Sequence, residues 1–450
     1  MSLRIEVDSL GEVALPRMAL YGAQTQRALD LYPVAGQKTL GDYPALVQAM
    51  LQIKATAARV NGEINELDRE LASQIEQTCQ QLISQFDPAL YPVHAFHGGG
   101  GISTNMNVNE VIANRVNLDH HQQQPGSYTP AHPNDQINFN HSTSDCLQSA
   151  CHMAARQQTV VLIDRLGELQ RTVDQLNARD QQVHKLARTC LQDAVVIRFA
   201  DYWHGISGSL GQGIVRLTAL AQGLSRLNLG ANIIGRSGDC SARFQQRVIA
   251  ALNEVSHDCY QQHDNYFQCS QSFDQQVALA AELEGVAGYL IKFAKDLRLM
   301  ASGPQAGLAE ISLPAVQPGS SAMPGKINPT IPEFMVQAAM QAMGHCAVVK
   351  LCHQHGELDY NPWGMVLITN LLDAIDHLAK GVTVLTQHCV AGITINEANN
   401  TANTRTLIPL VMELKKILGY QATSDLVKEL KGDQQQLHTI LGRLSAQSQP

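Results

Sequence analysis

Chemistry is concentrated in Gly319-Ser320-Ser321-Ala322-Met323-Pro324-Gly325-Lys326-Ile327-Asn328-Pro329. Lys326 and Asn328 can hold a carboxylate by charge and by hydrogen bond, and Ser320 or Ser321 can exchange a proton. Pro324 and Pro329 restrict the backbone, while Gly319 and Gly325 permit unusual φ angles. An apolar helix is expected from about Ile331, so the loop leads into a rigid support. Ser-Ser by itself reads as an ordinary turn; the full string GSSxMPxKxNP reads as a site.

A second glycine-rich stretch is His97-Gly98-Gly99-Gly100-Gly101-Ile102-Ser103-Thr104-Asn105-Met106-Asn107-Val108-Asn109-Glu110. Consecutive glycines let a ligand approach the backbone, and Asn105 is a candidate cap for a following helix. The run lacks both GxGxxG and GxxxxGK[ST], which excludes a nucleotide loop. His120-His121 and His353/His355 lack a third ligand at useful spacing, so no metal site is expected.

The elements that must position these residues are mostly helices. Residues 1–40 show no clear period, and helical spacing covers Tyr43 to about Val60 and Glu66–Leu82. Three stripes at alternating spacings of four and three follow: Leu162/Leu166/Leu169/Val173/Leu176, Leu279/Leu283/Val286/Leu290/Phe293/Leu297 and Leu371/Ile375/Leu378/Val382/Leu385. Such stripes pack helices side by side. Ile206, Leu210, Leu217, Leu224 and Leu227 suggest another helix, interrupted by glycines that allow close helix contact. The fold class is therefore mostly α, with a long-helix bundle between roughly 140 and 393. Shorter helices follow, before the Gln/Ser-rich stretch Ala446–Pro450.

Across 450 residues the net charge is −8, with 44% hydrophobic residues, enough for a large core and without the basic footprint of a nucleic-acid binder. No apolar run of membrane-spanning length and no secretory leader are visible. Ten cysteines without a CxxC pair fit reduced thiols and a cytoplasmic location.

The 319–329 loop resembles the signature loop of the fumarase/aspartase superfamily, and other blocks match in order. They are Gly22-Ala23-Gln24-Thr25-Gln26-Arg27, Asn105–Val111, His132-Pro133-Asn134-Asp135 with Ser142-Thr143-Ser144-Asp145, Arg188–Ala194, and Leu297–Pro304. The resemblance implies an N-terminal helical domain (1–139), a central long-helix bundle (140–393) and a small C-terminal helical domain (394–450). It implies a homotetramer in which each active site combines blocks from three chains. The implied chemistry is cofactor-free elimination across the C–C bond of a succinyl unit through an aci-carboxylate dianion. Stabilising that dianion must dominate catalysis.

Carried over by motif, Ser320 is the base on a closing loop. Thr189, Lys326 and Asn328, aided by Ser321, hold the carboxylate that accumulates charge. Ser142 and Thr143 face the other carboxylate and the leaving group. Against the family pattern, Ile102 stands for a usual Thr, Ser144 for Asn, Cys190 for His or Gln, Gln305 for Arg and Arg236 for Thr. Glu333, the partner often paired with the missing His, is kept. Positions 102, 144 and 190 fall on the leaving-group side, and the dianion side is intact. The resemblance thus implies an aspartate ammonia-lyase-like enzyme for aspartate or a substituted aspartate. Fumarate hydratase is the alternative within the enzyme class, and a non-catalytic structural homologue the alternative outside it. The expected partners are a small dicarboxylate or amino acid and further copies of the chain, not nucleic acid or membrane.

Overall fold

A computed structural model describes residues 2–32 and 35–447; of the Gln/Ser-rich end, residues 448–450 lie outside the described residues. The expectation of an irregular stretch over 1–40 is corrected. Strands β1 (Leu3–Asp8) and β2 (Gly11–Pro16) form an antiparallel hairpin with Leu3 opposite Pro16, and helix α1 (Ala23–Leu31) follows. Strand β1 reverses the usual pattern: Leu3, Ile5 and Val7 are exposed, whereas Glu6 is buried. The Arg4 guanidinium satisfies the inner side, pairing with Glu6 and donating to the carbonyls of Pro16, Arg17, Ala19 and Tyr21. On the same side, Val13 and Leu15 of β2 are buried opposite Glu6 and Arg4, so charge and apolar burial share this face.

Helices α2 (Pro44–Glu63) and α3 (Arg69–Ser84) match the expected helical spacing. Proline opens α2 at a position where its missing N–H costs nothing, and the Asp68 carboxylate caps α3 by accepting from Leu71 N at 2.9 Å. Next come α4 (Ile102–His121), α5 (Thr143–Arg179), hairpin strands β3 (His184–Thr189) and β4 (Gln192–Arg198), and α6 (Phe199–Gly223). Two-residue β5 (Arg226–Leu227) precedes α7 (Ala242–Ser256), β6 (Gln261–Gln262), α8 (Tyr266–Gln271) and α9 (Asp274–Met300). After β7 (Ile311–Ser312) come α10 (Thr330–Gln354), α11 (Gly364–His388), β8 (Thr394–Ile395) and the short helices α12 (Glu397–Asn403), α13 (Leu407–Leu418), α14 (Tyr420–Glu429) and α15 (Gln434–Gln447). The chain is mostly α, and its strands form only two-stranded pairs among the described residues.

The contacts define two compact units. One comprises Met1–Ile163, Val215–Gly285 and Met340–Leu378; the other comprises Asp164–Ile214, Val286–Ala339 and Ala379–Pro450. Each long helix contributes a segment to both. In the first unit α2 is the hub: Leu46, Val47, Met50, Leu51, Ile53 and Val60 are fully buried, and α3 and α7 pack against it. In the second unit, buried Leu166, Leu169, Val173, Leu290, Phe293 and Leu385 form the apolar interior of the long-helix segments. A separate cluster around Leu410, Leu414 and Leu437 joins α13 to α15.

All three heptad-like stripes are buried along their length. Each fully buried leucine contributes roughly 2 kcal/mol by removal from water, which is why the period survives as structure. The glycine-interrupted stripe is corrected at its end: α6 stops at Gly223, and Leu227 sits in β5, paired parallel with Gln262. The expected close contact does occur at Gly213, where an added Cβ would lie 3.3 Å from Val286 Cγ2, but Gly205 and Gly208 face open space. Among the described residues no helix is long and apolar enough to cross a membrane.

Candidate active site

The signature loop lies in the second unit and is closed on itself. Gly319 N donates to Lys326 O at 2.9 Å, and the Asn328 carboxamide donates to Gly319 O at 2.6 Å. A side chain at Gly319 cannot fit, because its Cβ would lie 2.6 Å from Lys326 O and 2.7 Å from Asn328 N. Gly325, at φ +82°, supplies the left-handed turn. Inside the ring, the Ser320 hydroxyl oxygen accepts from Ala322 N at 3.1 Å and Met323 N at 3.0 Å. Two N–H donors on one hydroxyl favour its deprotonated form. Ser321 and Lys326 are exposed on the same loop, and Asn328 is half-buried at its base.

Thr189 and Cys190 are in the same unit, at the tip of the β3–β4 hairpin. Thr189 pairs with Gln192, leaving Cys190 and Leu191 as a two-residue turn at φ 52° and 59°. Such turns prefer Asn-Gly, and two left-handed L side chains cost about 1 kcal/mol each. The turn is nonetheless held, because adjacent Arg188 forms an ion pair with Glu310, a fully buried carboxylate that also lies 3.0 Å from the Lys185 ammonium. Glu310 immediately precedes β7, so this cluster ties the Thr189 hairpin to the strand from which the 319–329 loop departs. Glu333, without the usual His, points at another helix and lies 3.2 Å from Arg298 of α9.

The other candidate residues lie in the first unit. Gly99, Gly100 and Gly101 all have positive φ, and a Cβ on Gly101 would meet Leu147 Cδ1 at 2.1 Å. Gly101 ends this left-handed run and α4 starts at Ile102, which is 43% exposed and lines a cavity of about 690 Å³ with Arg27, His132 and Asn134. Asn105 does not cap the helix. It is buried one turn in, and its Oδ1 accepts from the Lys54 ammonium at 2.8 Å.

Ser142, Thr143 and Ser144 form the N-terminal turn of α5 and are half-buried. The Ser142 hydroxyl donates to Asn232 O at 2.8 Å and accepts from Ser144 N at 3.2 Å. Beneath it, fully buried Asp145 accepts from Ser142 N at 2.7 Å, Gly230 N at 3.0 Å and Asn232 N at 2.9 Å. Burial pushes its carboxyl up to about 6, with these N–H donors pulling the other way. Asp145 thereby joins the 142–144 turn to the 230–239 loop, where Arg236 is exposed and paired with Asp239.

Lys54 is a site-building residue that sequence reasoning missed. Fully buried on α2, its ammonium donates to Asn105 Oδ1 at 2.8 Å and Asn138 Oδ1 at 2.9 Å, and lies 2.9 Å from His141 Nε2. It connects the start of α4 to the turn entering Ser142. Burial lowers its pKa and holds His141 well below the ordinary histidine value. The available signal was a lysine inside the apolar run Met50-Leu51-Gln52-Ile53-Lys54-Ala55. Gln305 has no role that the structure explains.

The structure therefore groups Ile102, Ser142, Thr143 and Ser144 in one unit, and Thr189, Cys190, Ser320, Ser321, Lys326 and Asn328 in the other. Residues 11–344 match the lyase family. The chain is 36% identical to fumarate hydratase class II 2 of Pseudomonas aeruginosa, over 95% of this chain and 91% of that one. It is 34% identical to an aspartate ammonia-lyase of Pseudomonas fluorescens, over 93% and 88%. Among solved structures, a fumarate lyase:delta crystallin from Brucella melitensis superposes with a TM-score of 0.90 at 32% identity, covering 97% of this chain and 100% of that one. A class II fumarase from Schistosoma mansoni gives 0.93 at 25% identity, covering 98% and 96%. With its helical fold, its signature loop and these relatives, the chain belongs to the fumarase/aspartase superfamily and is a lyase.

Proposed function

We propose that this lyase eliminates ammonia or a substituted amine from aspartate or a substituted aspartate, giving fumarate or a relative. The observation that carries the reading is the Ser320 hydroxyl held by two backbone N–H groups in a loop that also bears Lys326 and Asn328. In this mechanism the Ser320 oxygen takes the proton from the carbon next to one carboxylate. The C–H electron pair moves into that carboxylate, giving the dianion, which Lys326, Asn328 and Thr189 stabilise with help from Ser321. Return of the pair forms the C=C bond and expels the amine from the neighbouring carbon. Ser142 and Thr143 bind the second carboxylate and the leaving group. Ile102, Ser144 and Cys190 reshape that side and set which amine fits. The working assembly is a homotetramer whose sites draw blocks from three chains.

A second reading, hydration of fumarate, is favoured by the 36% identity to a fumarate hydratase. The same steps would then run in reverse: water adds to the C=C bond where the amine would have left, and the neighbouring carbon takes up the proton. A substrate panel separates the two: aspartate, N-substituted aspartates, malate, fumarate with ammonia, and fumarate with water, followed by ultraviolet absorbance of the C=C bond. Turnover of an aspartate at least tenfold above malate supports the first reading. The reverse order supports the second, and no turnover on any substrate rejects both.

A further inference from the structure

Tyr360 lies 260 residues from the glycine run, yet its phenol donates to Gly100 O at 3.2 Å. The ring fills the space beside that glycine: a Cβ on Gly100 would lie 3.0 Å from both Tyr360 Cε1 and Oη. Tyr360, Ser144 and Gly100 line the same narrow cavity, together with Leu147, Phe273 and Ile368. All of these residues are in the first unit. The phenol therefore stands where the 98–102 run meets the 142–144 turn, the two segments in which Ile102 and Ser144 depart from the family pattern.

The loop is built to hold the ring there. Glu357 N donates to Tyr360 O at 3.1 Å and Tyr360 N donates to Glu357 O at 3.2 Å, closing a tight turn. The next residue, Asn361, is 2% exposed and anchored at both ends: its N donates to Ser270 O at 2.9 Å and its carboxamide to Cys352 O at 3.1 Å. Burial raises the phenol pKa, while a hydrogen bond with the Ser144 side chain acts in the opposite direction; the hydroxyl stays neutral, with its proton given to Gly100 O and its oxygen able to accept. A rigid hydroxyl beside Gly100 and a short Ser144 can replace the polar groups that positions 102 and 144 lack. Its ring also limits the room for a bulky leaving group.

We propose that Tyr360 is a specificity-determining residue: its hydroxyl supplies a polar contact on the leaving-group side, and its ring limits the size of the amine accepted. The inference rests on the elimination reading given above. The test uses full-length wild type, Tyr360→Phe and Tyr360→Leu, each assayed with fumarate plus ammonia, fumarate plus methylamine and fumarate plus water. Loss of a hydrogen bond that a site uses to choose between substrates changes the kcat/KM ratio by about tenfold or more. Tyr360→Phe is therefore expected to shift the amine-to-water ratio by about tenfold, and Tyr360→Leu to raise methylamine relative to ammonia. Ratios within twofold of wild type for both variants would overturn the proposal, even if both lose thermal stability, because a purely packing residue affects all substrates alike. Absence of turnover by wild type would instead reject the elimination reading. Titration calorimetry with succinate, malate and aspartate then decides: a tenfold change in the aspartate-to-succinate affinity ratio in Tyr360→Phe supports the contact. An unchanged ratio, or no binding by wild type, overturns it.

Discussion

The Asn328 carboxamide donates to the Gly319 carbonyl at 2.6 Å, closing the ends of the Ser320 loop over one another. With the Gly319 N–H donating to Lys326 O, that bond sets the loop's span, and Gly319 permits it because no side chain fits between Lys326 O and Asn328 N. Gly319→Ala should therefore open the loop without touching the helical core. Turnover is expected to fall by about a hundredfold, since misplacing a reacting group by an ångström costs that much. Circular dichroism and the thermal midpoint should stay near wild type. Wild-type turnover by this variant would show that the closed ring is not needed.

Lys54 offers a different kind of test, because it is remote from any exposed surface. Lys54→Met removes a buried charge but leaves the Asn105 oxygen without its donor, whereas Asn138 Oδ1 keeps the carboxamides of Asn105 and Asn109. Unsatisfied buried polar groups cost about 1–3 kcal/mol each. The variant should unfold at lower urea concentration, and its KM should rise as the 102 and 142–144 segments lose their common tether. An unchanged urea midpoint would contradict the role given to this network.

Asp145 makes a prediction about pH. Its buried carboxyl titrates at about 6, against an ordinary value near 3.8, so the folded state binds its proton more tightly than the unfolded state. Its stabilising contribution is complete below about pH 3.8 and is lost as pH rises through about 6, a fall of about 3 kcal/mol. Asp145→Asn should remove this slope. The measurement is the difference in urea unfolding between wild type and variant across that range, which cancels histidines titrating in the opposite sense. Parallel pH profiles would contradict the assignment.

The leaving-group side can be tested by restoring family residues. Ile102→Thr, Ser144→Asn and Cys190→His together should raise fumarate hydration or deamination of plain aspartate while weakening the native reaction. Their effects should be non-additive if they serve one pocket. Steady-state rates of the three single variants and the triple variant provide the check. A triple variant that gains on neither substrate would place the determinants elsewhere.

How far the sequence was legible depends on which interaction fixes each element. The stripes from Leu162, Leu279 and Leu371 were readable because apolar burial leaves a period, and the 319–329 string because Pro, Gly, Ser and Lys were packed into one stretch. The first hairpin was not, because in β1 Arg4 and Glu6 face inward while Leu3, Ile5 and Val7 face out. The second hairpin was hidden by a turn of Cys190 and Leu191, which carries none of the usual turn residues. Tyr360 and Lys54 depend on contacts across 260 and 51 residues, which no local pattern records.

The central claim is that Ser320, held by the N–H groups of Ala322 and Met323, removes the proton that starts elimination. The most direct measurement is C=C formation by wild type and Ser320→Ala on the best substrate of the aspartate series, with fold and assembly compared by circular dichroism and sedimentation. Turnover in Ser320→Ala is expected to fall by orders of magnitude, with fold and sedimentation unchanged. Near-wild-type turnover by Ser320→Ala would contradict the account.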